Sequence, residues 1–88
     1  MSYQETLKMA IGRSGKSLSR IAKECFLHGV DISHTYICKL QNGKQPPASD
    51  EVNRALAKAL DMDEDEFVLS AYREKIPPEI LRKLAQAQ

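Results

Sequence analysis

Apolar side chains recur at i, i+3 and i+4 in nearly every cluster of this chain, and no stretch alternates apolar with polar residues under β-branched enrichment. The core must therefore be built by helices. Two proline pairs, Pro46-Pro47 and Pro77-Pro78, interrupt the pattern, because proline cannot continue a helix and holds the residue before it extended. With 88 residues, 42% hydrophobic and 28% charged, the helices between those breaks must share one modest core, and a two-domain enzyme is excluded by length.

The first helix is expected from about Tyr3 to Arg13 with Leu7, Ala10 and Ile11 on one face, stopped by Gly12, Ser14 and Gly15. Ser17 then caps a second helix that carries Leu18, Ile21, Ala22 and Cys25 inward, extends through about Leu27 and ends near His28-Gly29. Ser33 caps a third, with Ile37, Leu40 and part of Tyr36 as its apolar stripe and Asn42-Gly43 closing it. Ser49 or Asp50 opens a fourth, roughly Asp50 to Leu60, burying Val52, Leu56, Ala59 and Leu60. Asp61 or Asp63 opens a fifth, about Glu64 to Lys75, with Phe67, Val68, Ala71 and Tyr72 inward and an acidic first turn that suits the helix dipole. Pro78 starts a short sixth helix reaching Ala87, with Ile80, Leu81 and Leu84 on one side, and Gln86 to Gln88 are expected to fray.

The formal charge of +1 says nothing about a polyanionic partner, but it is unevenly distributed. Residues 1–44 hold seven bases and three acids, a charge of +4, and residues 45–88 hold six bases and nine acids, a charge of −3. Such asymmetry points to a nucleic-acid face on one half. No apolar run approaches the ~18 residues of a membrane span and the start MSYQETLKMA is not a basic-then-apolar signal, so a cytoplasmic protein without membrane contact is expected. Cys25 and Cys38 are then reduced thiols.

Two motifs invite chemistry and fail on context. Ala10 to Ser17 fits a loose phosphate-loop pattern ending Gly15-Lys16-Ser17, but such a loop must leave a strand and enter a helix, and the residues before it read as helix. Cys25, His28, His34 and Cys38 are spaced C-x2-H-x5-H-x3-C, a zinc-competent set. Against zinc, Cys25 lies on the inward stripe, and five residues between the histidines are few for turning four ligands into a tetrahedron. Neither histidine has an orienting acid and a serine partner, and the acidic run Asp61 to Glu66 lacks the glycine and glutamate spacing of a calcium loop. No catalytic residue, metal or cofactor is expected.

Helices two and three remain. A helix, a turn and a short polar-faced helix can set the second helix into the DNA major groove when its outward residues form hydrogen bonds and basic groups flank it. With Ile37 and Leu40 inward, His34, Thr35, Cys38, Lys39 and Gln41/Asn42 fall on or beside the outer face. Lys16, Ser17, Ser19, Arg20, Lys39, Lys44 and Gln45 surround it as candidate phosphate contacts. A solvated polar face, which any helical domain has, is the plain alternative.

The Leu-x-x-Ile-Ala of Leu18 to Ala22, the Ser-x-x-Tyr-Ile-x-x-Leu-x-x-Gly-Lys of Ser33 to Lys44, and Ala55-Leu56-Ala57-Lys58-Ala59-Leu60 before an acidic cap together resemble the Cro/C1-type (Xre family) helix-turn-helix domain over roughly residues 5–70. The resemblance implies a five-helix lambda-repressor-like fold, base contacts from His34, Thr35 and Cys38/Lys39, and phosphate contacts from Ser17, Asn42 and Lys44. Two departures stand out. Between Ala22 and Ile37 the chain is about five residues longer than the family spacing, so Phe26 to Asp31 must lengthen helix two or enlarge the turn. Leu18 stands where the family often has Gln.

The expectation is an all-α, DNA-binding transcriptional regulator from a bacterium or phage, a repressor of a palindromic operator read through about residues 33–42. Residues 1–75 form the DNA-binding domain, and residues 76–88 form a helical extension suited to dimerisation. A single reading helix covers few base pairs, so double-stranded DNA and a homodimer on it are the expected partners, with a protein antirepressor as a further one. The competing class is a protein-interaction module of the same fold with little DNA affinity, such as an antirepressor or transcription-machinery partner. A zinc-stabilised module is the third.

Overall fold

Short polar side chains open the first five helices. Ser2, Ser17, Ser33, Ser49 and Asp63 each take extended backbone and accept the backbone N–H three residues on, satisfying a donor the helix itself leaves unpaired. The computed structural model describes residues 2–86, and the elements are α1 (Tyr3–Ser14), α2 (Leu18–Leu27), α3 (His34–Gln41), α4 (Asp50–Ala59), α5 (Glu64–Lys75) and α6 (Pro78–Gln86). The described residues are all helix and connection, with no strand among them. Ala87 and Gln88, the expected end of the last helix, lie outside the described residues.

Three of the helices stop by one device. Val30, Lys44 and Met62 donate backbone N–H groups to the carbonyls of Cys25, Lys39 and Ala57, five residues back, at 2.8–3.0 Å. The residue before each donor, Gly29, Gly43 or Asp61, has a positive φ. This is the Schellman closure, which favours glycine because a left-handed residue crowds a Cβ. At Asp61 the closure is made without glycine, at φ 58°.

The principal packing pairs are α1 with α3 and α5, α2 with α3 and α4, and α4 with α5. Each of the five helices therefore packs on two others, closing a ring around one core. Leu7, Ile21, Ile37, Leu40, Leu56 and Phe67 fill it. Tyr3 stacks on Phe67 with ring centroids 4.8 Å apart, joining the first turn of α1 to α5.

Several inward expectations shift with the tertiary arrangement. Ile11, Leu18, Ala22 and Val52 pack at the core's edge and stay partly exposed, while Tyr3 and Asn53 are buried although the periodicity did not select them. Tyr72 was expected inward and is exposed. Its hydroxyl instead donates to Asp50 Oδ2 at 2.8 Å, reaching the first turn of α4 along the surface. On α6, no residue is buried, so Ile80, Leu81 and Leu84 do not form a covered face with Phe67 and Tyr72.

Candidate nucleic-acid interface

Burial orients α3. Ile37 and Leu40 are fully buried, Tyr36, Cys38 and Gln41 half-buried, and His34, Thr35 and Lys39 exposed together with the capping Asn42. At about 100° per residue, His34, Thr35, Cys38, Lys39 and Asn42 fit within an arc of about 140° on the outer side. The first turn of this face carries an imidazole and a hydroxyl, the second an ammonium and a thiol, all able to hydrogen-bond base edges.

Ser33 and the connection before it fix where that face begins. Ser33 Oγ accepts the Tyr36 N–H at 3.1 Å. Between Leu27 and His34 lie six residues, where a DNA-reading turn commonly has three or four, and α2 also runs on through Phe26 and Leu27. Residues 26–33 thus span the end of the helix and the turn. Phe26 is 63% and Leu27 74% exposed at the end of α2.

The flanking residues divide into exposed and engaged groups. Ser17, Ser19 and Arg20 stand exposed at the amino end of α2, and Lys44 and Gln45 stand exposed in the loop after α3. Lys23, one turn beyond Ser19 and Arg20 on the same exposed face, adds a cation that reading from the helix start missed. Its i+3/i+4 spacing was the available signal.

Lys16, expected among the phosphate contacts, is half-buried and bonded within the domain. Its Nζ donates to Glu24 Oε1 at 2.9 Å and to the Ala59 carbonyl at 2.6 Å, so the ammonium ties the approach to α2 to the carboxyl end of α4. Asn42, though exposed, is engaged with its own helix: its Nδ2 donates to the Cys38 carbonyl at 2.9 Å and approaches Cys38 Sγ at 3.4 Å, closing the last turn of α3. Arg20 leans toward Glu24 at 3.9 Å, a distance at which an exposed pair contributes little.

The loop bearing Lys44 and Gln45 is fastened at both ends. At its start Gly43, with φ 71°, lies directly against the end of the exposed Gln4 side chain of α1. At its far end the Tyr3 hydroxyl accepts the Ala48 N–H at 3.4 Å, and Asn53 Nδ2 donates to the Ala48 carbonyl at 2.9 Å. Burial pushes the Tyr3 hydroxyl up to about 12, keeping it a neutral donor and acceptor.

The two rejected motifs have structural counterparts. Ala10 lies inside α1 and Ser17 is a cap, so Gly15-Lys16-Ser17 is an interhelical turn. Cys25 is fully buried, and desolvation pushes its thiol up to about 11, as expected of a small hydrophobe rather than a ligand thiolate. Among the described residues no three His, Cys, Asp or Glu side chains gather where a metal ion could sit, and no helix is long and apolar enough to cross a membrane. No family model, curated protein or solved structure matches this chain.

Proposed function

We propose that the chain is a sequence-specific DNA-binding transcriptional regulator of the Cro/C1-type (Xre family), with α2 and α3 as its helix-turn-helix inside a lambda-repressor-like five-helix domain. The observation that carries the reading is the division of α3: Ile37 and Leu40 seal it to the core while His34, Thr35 and Lys39 stay exposed on one polar face. In this reading those three residues, with Cys38 beside them, contact base edges. Ser17, Ser19, Arg20 and Lys23 on α2, and Lys44 and Gln45 after α3, contact phosphates on either side. Lys16 and Asn42 hold the scaffold instead. The regulator acts by occupying a palindromic operator as a repressor, in the cytoplasm, without cofactor or catalysis.

Selection of bound sites from a random DNA pool tests this. Recovery of inverted half-sites centred about 10 base pairs apart is the expected outcome. A pool that stays random after repeated rounds at low salt contradicts it.

A second reading is favoured by Phe26 and Leu27, an exposed apolar pair at the end of the lengthened α2. They suit a protein partner, so the same fold can serve as an interaction module with little DNA affinity. A failed selection, together with a protein complex lost on Phe26→Ser, is the result that distinguishes it.

A further inference from the structure

We propose that the cleft between the carboxyl ends of α1 and α4 binds a small phosphate monoester. Its volume of about 560 Å³ lies within the range of small-molecule sites, and Ala10, Arg13, Lys16, Lys58, Leu60 and Asp61 line it. Three cations stand there against one acid.

Cations in the last turn of a helix are ordinarily matched to the partial negative charge of its terminal carbonyls. At α4 those carbonyls are already taken. Leu56, Ala57 and Lys58 accept the backbone N–H groups of Leu60, Met62 and Asp61 at 2.9, 2.8 and 3.4 Å, and Ala59 accepts Lys16 Nζ at 2.6 Å. Lys16 is committed a second time, to Glu24 at 2.9 Å. Arg13 and Lys58, by contrast, are exposed and form no ion pair among the described residues.

Two uncommitted positive charges on one cleft select an anion, and a phosphate monoester brings nearly two negative charges at neutral pH. The Arg13 guanidinium offers a planar fork to two phosphate oxygens at once, and the Lys58 ammonium adds a point charge. Asp61 is exposed and likewise outside any ion pair, so its carboxylate can accept a hydroxyl of the ligand and repels a second anionic group. No aromatic side chain is among the described lining residues, so a nucleotide base has nothing to stack on. No residue of α3 lines the cleft either, which separates it from the outer face assigned to DNA.

Titration of the full chain with glycerol phosphate at constant ionic strength, followed by amide NMR shifts and with glycerol as the blank, is the test. Wild type is expected to saturate, with the largest shifts at Ser14, Gly15, Leu60 and Asp61. Arg13→Gln/Lys58→Gln is expected to weaken binding by about tenfold or more, the factor that one lost charge-assisted hydrogen bond carries, with its thermal transition retained. Lys8→Gln, an exposed cation of α1 outside the cleft, is expected to bind as wild type. Shifts that never saturate, the same shifts with glycerol alone, or an affinity unaltered in the double variant overturn the proposal. So does a wild type that ignores glycerol phosphate while the double variant shows a shallower salt dependence of duplex-DNA affinity, which would give these cations to the DNA backbone. Because the titration contains no DNA, its failure leaves the reading of α3 standing, and a failed operator selection leaves the cleft standing.

Discussion

The Tyr3 hydroxyl donates a 2.6 Å hydrogen bond to Asn53 Oδ1 across fifty residues of chain, inside the core. With Asn53 Nδ2 bonded to the Ala48 carbonyl, this pair fixes the end of the proline loop against α1 and α4. Replacing Asn53 by Leu leaves the Tyr3 hydroxyl and the Ala48 carbonyl buried without those partners, at a cost of about 2–4 kcal/mol. Tyr3→Phe keeps the ring stacked on Phe67 and costs about 1–2 kcal/mol. Urea unfolding of the two variants checks both the order and the size.

Tyr3 and Cys25 both resist deprotonation in the folded state. Their folded values, about 12 and about 11, lie above the ordinary 10.0 and 9.0, both because burial disfavours the anion. The folded state holds these protons more tightly, so the stabilisation is complete below pH 9 and is lost as pH rises through 9–11 for Cys25 and 10–12 for Tyr3. The urea midpoint is expected to fall over that interval, by a few kcal/mol in free energy for the two groups together. Cys25→Ala should flatten the part between pH 9 and 10 and leave the Tyr3 fall above it.

At Asp61 a non-glycine residue occupies the left-handed position that Gly29 and Gly43 hold at the ends of α2 and α3. Relief of that backbone strain in Asp61→Gly is expected to stabilise the domain by about 0.5–1 kcal/mol. Gly43→Ala should do the reverse, since it adds the left-handed strain at φ 71°, while the exposed end of the Gln4 side chain can swing aside. Thermal midpoints of the two variants moving in opposite directions would bear this out.

The contrast between caps and contacts explains what could be read from the chain itself. Ser17, Ser33 and Asp63 act within three residues, so their roles are written locally, and the six helices begin where composition and spacing put them. Tyr3, Asn53 and Lys16 find partners 43 to 50 residues away, and no periodicity carries that information. Lys16 looked like a phosphate contact because it adjoins Ser17; Ala59, which engages it, is remote in sequence. Tyr72 looked buried because it follows Ala71 on the helical pattern, yet Asp50 draws it along the surface. For α3 the exposed face was legible from Ile37 and Leu40, and for α6 the apolar face was legible but not its lack of cover.

Lys16→Met separates scaffold from interface. It removes the ammonium that bridges Glu24 to the Ala59 carbonyl, and the partly exposed pair makes the expected loss of stability about 1 kcal/mol. On the proposed DNA reading the salt dependence of affinity is expected to be unchanged, because this ammonium is already engaged by Glu24 and the Ala59 carbonyl. A shallower salt dependence with unaltered stability would return Lys16 to the interface.

The division of α3 and its flanking loop into base-reading and phosphate-holding residues is tested most directly by titrating duplex DNA of several sequences against wild type, Lys44→Ala and Thr35→Ala over a range of salt. A linear fall of log affinity with log salt is expected for wild type. Lys44→Ala should weaken every sequence alike and reduce that slope by about 1, while Thr35→Ala should alter preference at one base position and keep the slope. Absence of binding at low salt, or the same effect from both substitutions, would contradict it.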